Sequence, residues 1–317
     1  MSGVTLKIPP ATFSEQERVA MATRCRDCDP VPKVVDAGEV FELGDGRSFQ
    51  LMHNGLKVVA GGYYGQWMLD LIRLCRGHHE SQEERMFHEV VGRLPSDGRM
   101  IELGGYWSYY SLWFLKDHPG RQAVVIEPEP YNLEVGMANA ELNGLNPTFK
   151  PGFAGAAYEP SMRFMCERSG ETDLPCYSVQ HLMAEQGWDH LTLLHADVQG
   201  AETEVLESCR ALFLQRRVDW VFVSTHAHQI SGDPLTHQRC LAILRECGAT
   251  IEAEHDVHES FSGDGLIVAR FGPAPDGWTP VEISHNRASK SLFRHLAYDL
   301  ADQMAANEAR QAGHPGP

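Results

Sequence analysis

Two carboxylates, each at the end of an apolar run, are the residues best placed to hold a ligand. The stretch Ile101-Glu102-Leu103-Gly104-Gly105-Tyr106-Trp107-Ser108 carries a strand pattern into an acid and a glycine pair. Twenty-three residues beyond Gly104, the run Ala123-Val124-Val125-Ile126 ends in Glu127. Glycine at a strand end permits a sharp turn and close backbone approach, and an acid at this spacing can accept hydrogen bonds from both ribose hydroxyls. A dinucleotide is disfavoured, because the phosphate-cradling G-x-G-x-x-G would need glycine where Tyr106 and Tyr109 stand. The pattern therefore suits a nucleoside without a pyrophosphate. Two further polar pairs, His195 with Asp197 and His226 with His228, stand two residues apart at the ends of apolar runs. Alternate residues of a strand point the same way, so these pairs could serve as a base or as a His/carboxylate metal site built from Asp197, His226 and His228.

The elements that must position these groups follow from periodicity. Strands are expected at Arg99 to Leu103, Gln122 to Ile126, Thr148 to Lys150, Leu191 to Ala196, Val218 to Thr225, Ala249 to His255 and Gly265 to Arg270. Helices are expected at Tyr109 to Leu115, Asn132 to Asn143, Ser178 to Glu185, Ala201 to Leu214 and His237 to Glu246. Alternating strands and helices predict an open α/β sheet covered on both faces, with ligands beyond the carboxyl ends of its strands. No helix separates the last two strands, so they should pair antiparallel. The turn Gly263-Asp264-Gly265 and the preceding His255 to Ser260 read as a charged, solvated loop.

Residues 1–79 read as an α+β accessory region, 80–272 as the ligand-binding domain, and 273–317 as a C-terminal helix and frayed tail. Met68, Leu71, Ile72 and Cys75 recur at helical spacing, and Ser81 with Glu84 fits a capping box opening a second helix. Leu292, Phe293, Leu296, Leu300 and Met304 form an apolar stripe that would dock on the domain or on a second copy in a homo-oligomer. Asn143, before Gly144, reads as a helix-end residue.

Composition sets outer bounds. With 43% hydrophobic residues the chain can build a core, so disorder throughout is excluded. A formal charge of -16 and no long basic run argue against nucleic acid. No apolar run reaches the roughly 18 residues that span a bilayer, and the start lacks a basic then apolar leader, so a cytoplasmic protein is expected. Eight cysteines without such a leader read as reduced thiols. The pair Cys25 and Cys28 has no second C-x-x-C at zinc-ribbon spacing.

Three ordered blocks carry a family resemblance: MIELGGYWSYYSLWF, VVIEPEPYNLEVGMANAELNG and LLHADVQGAETEVL. They resemble the FkbM family of S-adenosylmethionine-dependent methyltransferases, whose members often methylate hydroxyl groups of sugars or polyketides. The most specific parts are the acid-Pro segment with Asn139 and Asn143, and the block Asp197, Gln199, Gly200, Ala201 and Glu202. Ser108 stands where the family usually has glycine, and His195 where it usually has lysine.

The resemblance implies a class I, Rossmann-like fold of seven strands with the last one antiparallel. It implies that Glu102, Gly104 and their neighbours Gly105, Tyr106 and Ser108 contact the methionine moiety, that Glu127 holds the ribose, and that Asp197 lies beside the sulfonium and acceptor. Pro128, Gln199 and Glu83 complete the expected cofactor surface. Asp197, His195, His226 and His228 are the candidate catalytic residues, with a divalent cation as an alternative to a base. The reading is O-methylation of a hydroxyl on a sugar, glycan or other small molecule. N-methylation and a silent nucleoside-binding module are the alternatives; a nicotinamide-dependent oxidoreductase is disfavoured by the missing glycines.

Overall fold

A computed structural model describes residues 13–288, 292–293 and 304. Its N-terminal region contains α1 (Glu15–Ala22), the antiparallel strands β1 (Val40–Glu42), β2 (Ser48–Leu51) and β3 (Lys57–Val59), then α2 (Gln66–Leu74) and α3 (Ser81–Val91). The main sheet begins with β4 (Arg99–Leu103), α4 (Tyr109–Leu115), β5 (Gln122–Glu127), α5 (Pro130–Asn143) and β6 (Thr148–Pro151). A small side sheet follows, made of β7 (Phe153–Ala154), β8 (Glu159–Cys166) and β9 (Gly170–Tyr177). The chain then runs through α6 (Val179–Glu185), β10 (Leu191–Ala196), α7 (Glu202–Ser208), α8 (Arg210–Leu214) and β11 (Val218–Thr225). It closes with α9 (His228–Ser231), α10 (Thr236–Glu246), β12 (Thr250–His255) and β13 (Gly265–Arg270).

Adjacent residues of the central strands explain the layering. Met100, Leu193, Phe222 and Val268 join one buried cluster, while their neighbours Ile101, Leu194, Val221 and Ile267 join another on the opposite face. Strands buried on both faces must be apolar at every position, which is why these runs are continuous rather than alternating. Each such Leu, Ile, Val or Phe contributes about 1.5–3 kcal/mol by leaving water. The first cluster also takes Met52, Leu56, Val58, Met68, Leu71 and Ile72 from the N-terminal region, so residues on both sides of position 80 share one core.

The strand order is β12-β13-β11-β10-β4-β5-β6, with β11 and β12 each antiparallel to β13 and the remaining neighbours parallel. This is the class I methyltransferase sheet. Its order reverses between β4 and β10, the switch point at which ligands bind beyond the strands' carboxyl ends.

Several local expectations change. The single helix expected over 201–214 is two, meeting at Cys209, which caps both. The β8/β9 hairpin was not anticipated, since β8 is mostly exposed and offers no apolar alternation. Ser81 and Glu84 do not form a capping box: the N-cap is Glu80, without a side-chain cap, and Glu84 instead bonds back to the N–H groups of His79 (2.7 Å) and Glu80 (3.2 Å). Asn139 and Asn143 turn towards the N-terminal region, where Asn139 accepts from Val59 N (2.6 Å) and Asn143 accepts from Lys57 N (2.9 Å) and donates to Lys57 O (2.7 Å). They hold β3 against α5. Cys25 and Cys28 are buried free thiols, bonded to Ser284 Oγ and Ser81 O. Leu296 and Leu300 of the C-terminal stripe, the tail 313–317 and the start 1–10 lie outside the described residues. Among the described residues, no helix is long and apolar enough to cross a membrane.

Candidate active site

The loop after β4 is shaped by close packing. Gly104 takes φ +75°, and a Cβ there would overlap the Asp197 carbonyl oxygen, so only glycine lets the ends of β4 and β10 approach this closely. Ser108 adopts φ +62°, the left-handed conformation its glycine counterpart would favour, so the loop keeps the glycine geometry at the cost of strain. Tyr106 is also left-handed, at φ +42°. Its N–H donates to Glu127 Oε2 (2.8 Å), while Glu127 Oε1 accepts from Glu129 N (2.9 Å) and Asn132 Nδ2 (3.3 Å). These bonds orient the Glu127 carboxylate at the end of β5. Burial, opposed by these hydrogen bonds, pushes it up to about 7. Pro128 contributes its carbonyl to the Cys166 thiol of β8, and Glu129 accepts from Arg168 N (2.8 Å) and Ser169 N (3.0 Å). The hairpin tip is thereby tied beside the acid-Pro segment.

Beneath this loop Glu102 is fully enclosed and accepts from Ser111 N (3.1 Å). Burial, opposed by the charge of His195, raises it to about 7. His195 Nε2 meets Glu83 Oε1 at 2.7 Å, and Glu83 Oε2 accepts from Ser224 Oγ (3.1 Å). Burial pushes Glu83 up; against burial, the Glu83 partner pushes His195 up. The pair therefore holds a proton between them, and it straps α3 to the ends of β10 and β11.

The open side of the site is built around His226. Its Nδ1 meets Glu202 Oε1 at 2.6 Å, and Gly200 N also donates to that oxygen (2.9 Å). On the other edge of the ring, Nε2 faces Gln199 Nε2 (2.8 Å), Asp197 Oδ1 (3.3 Å) and Asp264 Oδ1 (3.5 Å). Burial lowers the imidazole, but Asp264, Asp197 and Glu202 together raise it well above its ordinary range. A protonated ring donates from both nitrogens, so Gln199 must then present its amide oxygen. Asp197 is held low by His226 despite burial. Asp264 is pushed up to about 7 by burial and by the charges of Asp197, Glu80 and Glu202, against the pull of His226. Asp197 and Asp264 are about one-third exposed, at 33% and 31%, so the cluster meets solvent through these carboxylates while the imidazole between them stays enclosed. An aromatic wall stands over the loop: Tyr63 stacks on Trp107 at 4.4 Å, and half-exposed Tyr64 leans on Tyr106 at 5.3 Å.

The structure thus brings Asp197, Gln199 and His226 together, and Glu83 beside His195. It separates His228, which opens α9 past the end of β11 and is exposed, so the parallel imidazoles expected from i, i+2 spacing do not form. Of the three candidate metal ligands only Asp197 and His226 meet. The segment before β13 is not a solvated loop, since His255, Glu259 and Ser260 are buried and Asp264 reaches His226. Asp264 had only its place in a Gly-Asp-Gly turn as a signal.

The Methyltransferase FkbM domain matches residues 96–251. No curated protein matches the chain. Among solved structures, the chain is similar to a precorrin-6y C5,15-methyltransferase from Geobacter metallireducens, with 13% identity, 61% of this chain and 89% of that one covered, and a TM-score of 0.39. It is also similar to M. capricolum TrmK in complex with S-adenosyl-homocysteine, with 10% identity, 73% and 88% covered, and a TM-score of 0.39. Residues 96–251 therefore carry the signature of a Methyltransferase FkbM domain, the reading to which the three ordered blocks of the sequence also point.

Proposed function

We propose that the protein is an S-adenosylmethionine-dependent O-methyltransferase acting on a hydroxyl of a sugar, glycan or other small molecule. The observation that carries this reading is the His226 cluster: one buried imidazole among Asp197, Glu202 and Asp264, with the two aspartates partly exposed at the carboxyl ends of β10 and β11. Glu127 would hold the ribose, since a buried, amide-oriented carboxylate beside the glycine loop fits two vicinal hydroxyls. Glu102, Gly104, Gly105, Tyr106, Ser108 and Gln199 would line the rest of the cofactor's place. Glu83 and Pro128 would act behind them, through His195 and the hairpin.

When bound, S-adenosylmethionine supplies an electrophilic methyl group. The chain's own part is to orient an acceptor and take its proton. Asp197 stays ionised and can accept the acceptor's hydroxyl hydrogen bond. Asp264, titrating near neutrality, is the group suited to receive the proton. Protonated His226 balances the two carboxylates. The partly exposed acidic edge disfavours anionic acceptors, and the Tyr64 and Tyr106 faces suit the apolar side of a sugar ring. A methyl group supplied to an amine would need less help with its proton, which makes the cluster redundant for N-methylation.

The test is S-adenosylhomocysteine release against a panel of monosaccharides, glycosides and polyols. Turnover should rise with pH through about 7 as Asp264 ionises, should be lost in Asp264→Asn, and should not change on adding Mg²⁺ or Mn²⁺. Release with amines alone, or a rate that depends on the added cation, would overturn this assignment.

A further inference from the structure

A second group of imidazoles and a carboxylate lies outside the active site and has no part in the chemistry above. His53 follows β2, His78 sits in the link between α2 and α3, and Glu84 lies on α3; all three are fully buried. One ligand atom of each lies within 4.8 Å of the other two. The two imidazoles stack at 4.0 Å and 19°, so that both Nδ1 atoms face the same carboxylate oxygen. His78 Nδ1 is 2.6 Å and His53 Nδ1 is 3.5 Å from Glu84 Oε2. Tyr109 Oη joins them, 3.1 Å from His53 Nδ1 and 3.3 Å from Glu84 Oε2.

Buried hydrogen-bond networks usually run as chains from donor to acceptor, whereas these four groups, from four segments, converge on one point. The other oxygen of Glu84 is fixed by two backbone N–H groups and faces His79 Nδ1 at 2.6 Å. That division, one oxygen anchored and one presented, is how outer contacts orient a ligating carboxylate. The Nε2 atoms of His53 and His78 are buried without a partner, so hydrogen bonding does not account for placing two imidazoles here. His53 also borders a cavity of about 410 Å³ next to Asn54 and Trp113.

We infer that His53, His78 and Glu84, with Tyr109 as the fourth group, form a structural zinc site. Two imidazole nitrogens and a carboxylate oxygen are a donor set that Zn²⁺ accepts tetrahedrally. The ion would tie the N-terminal region to the first residue of α4, directly after the left-handed Ser108 that ends the cofactor loop. Its function is to hold that loop, and it does not depend on which acceptor the enzyme methylates.

The experiment is metal analysis of the full-length protein after extensive dialysis, with thermal melting before and after chelation. About one zinc per chain, a lower melting temperature on chelation, and recovery on adding zinc are expected. His78→Ala should lose the metal. Should that variant fail to fold, cobalt exchanged into the wild-type chain provides the second arm, since ligation by nitrogen and oxygen gives visible d–d bands without thiolate charge transfer. Dialysed wild-type protein without stoichiometric metal, whose melting is indifferent to added zinc and which gives no cobalt spectrum, would overturn the site.

Discussion

Imidazoles surround one carboxylate at Glu84, carboxylates surround one imidazole at His226, and the two clusters differ in what their outer groups meet. Around Glu84, every group is enclosed: His53, His78, His79 and Tyr109 all face the carboxylate, and none reaches solvent. Around His226, one edge is anchored by buried Glu202 and the other meets Asp197 and Asp264, both about one-third exposed. The same residue types therefore serve two ends. A closed cluster can only stabilise, because no substrate reaches it; a cluster with partly exposed carboxylates can exchange protons with a bound molecule.

The largest effect is expected on removing residues 1–79. That deletion takes away His53, His78 and the apolar side chains of α2 that complete the core on one face of the sheet. The expected outcome is an aggregated or inactive product, and a truncated chain that stays monodisperse and fully active would refute the shared core. His226→Ala, assayed with the acceptor found in the panel, should lower turnover by roughly 10²- to 10⁴-fold while leaving S-adenosylmethionine affinity nearly intact. Glu84→Gln should act the other way. It removes the buried carboxylate that His53, His78, His79 and Tyr109 share and should lower stability by about 3–5 kcal/mol in denaturant unfolding, with the pH dependence of turnover unaltered in whatever folded fraction is assayed. Equal losses of turnover and stability in both variants would erase the distinction. The smallest effect is expected for His228→Ala, since that side chain is exposed and apart from the cluster; turnover and melting temperature should both match wild type.

The parts legible in the sequence are those set by local periodicity and by strand ends. The central strands were readable because burial on both faces requires continuous apolar runs, and Tyr109–Leu115 because its residues are buried at every turn. The place of Glu127 at a strand end beside the glycine loop was readable from its distance to Gly104. Asp264 was not, because its approach to His226 depends on β13 running antiparallel to β11 and carrying the preceding turn to the far end of that strand. The Glu84 cluster was hidden for a related reason: Ser81 and Glu84 imitate a capping box, while His53 and His78 come from segments whose convergence only the tertiary fold decides. Glycine was legible as a requirement but not in its cause, since Gly104 is dictated by the Asp197 backbone.

The glycine loop after β4 and Glu127 at the end of β5 are proposed to take the nucleoside of S-adenosylmethionine. Titration calorimetry of the full-length chain with S-adenosylmethionine, S-adenosylhomocysteine and NAD tests it most directly. The expected result is saturable binding of the first two, none of NAD, and a loss of about 1.5–3 kcal/mol of binding free energy in Glu127→Ala, the range for a hydrogen bond to a charged group. Binding of NAD, no heat with either sulfur nucleoside, or an unchanged dissociation constant in Glu127→Ala would contradict it.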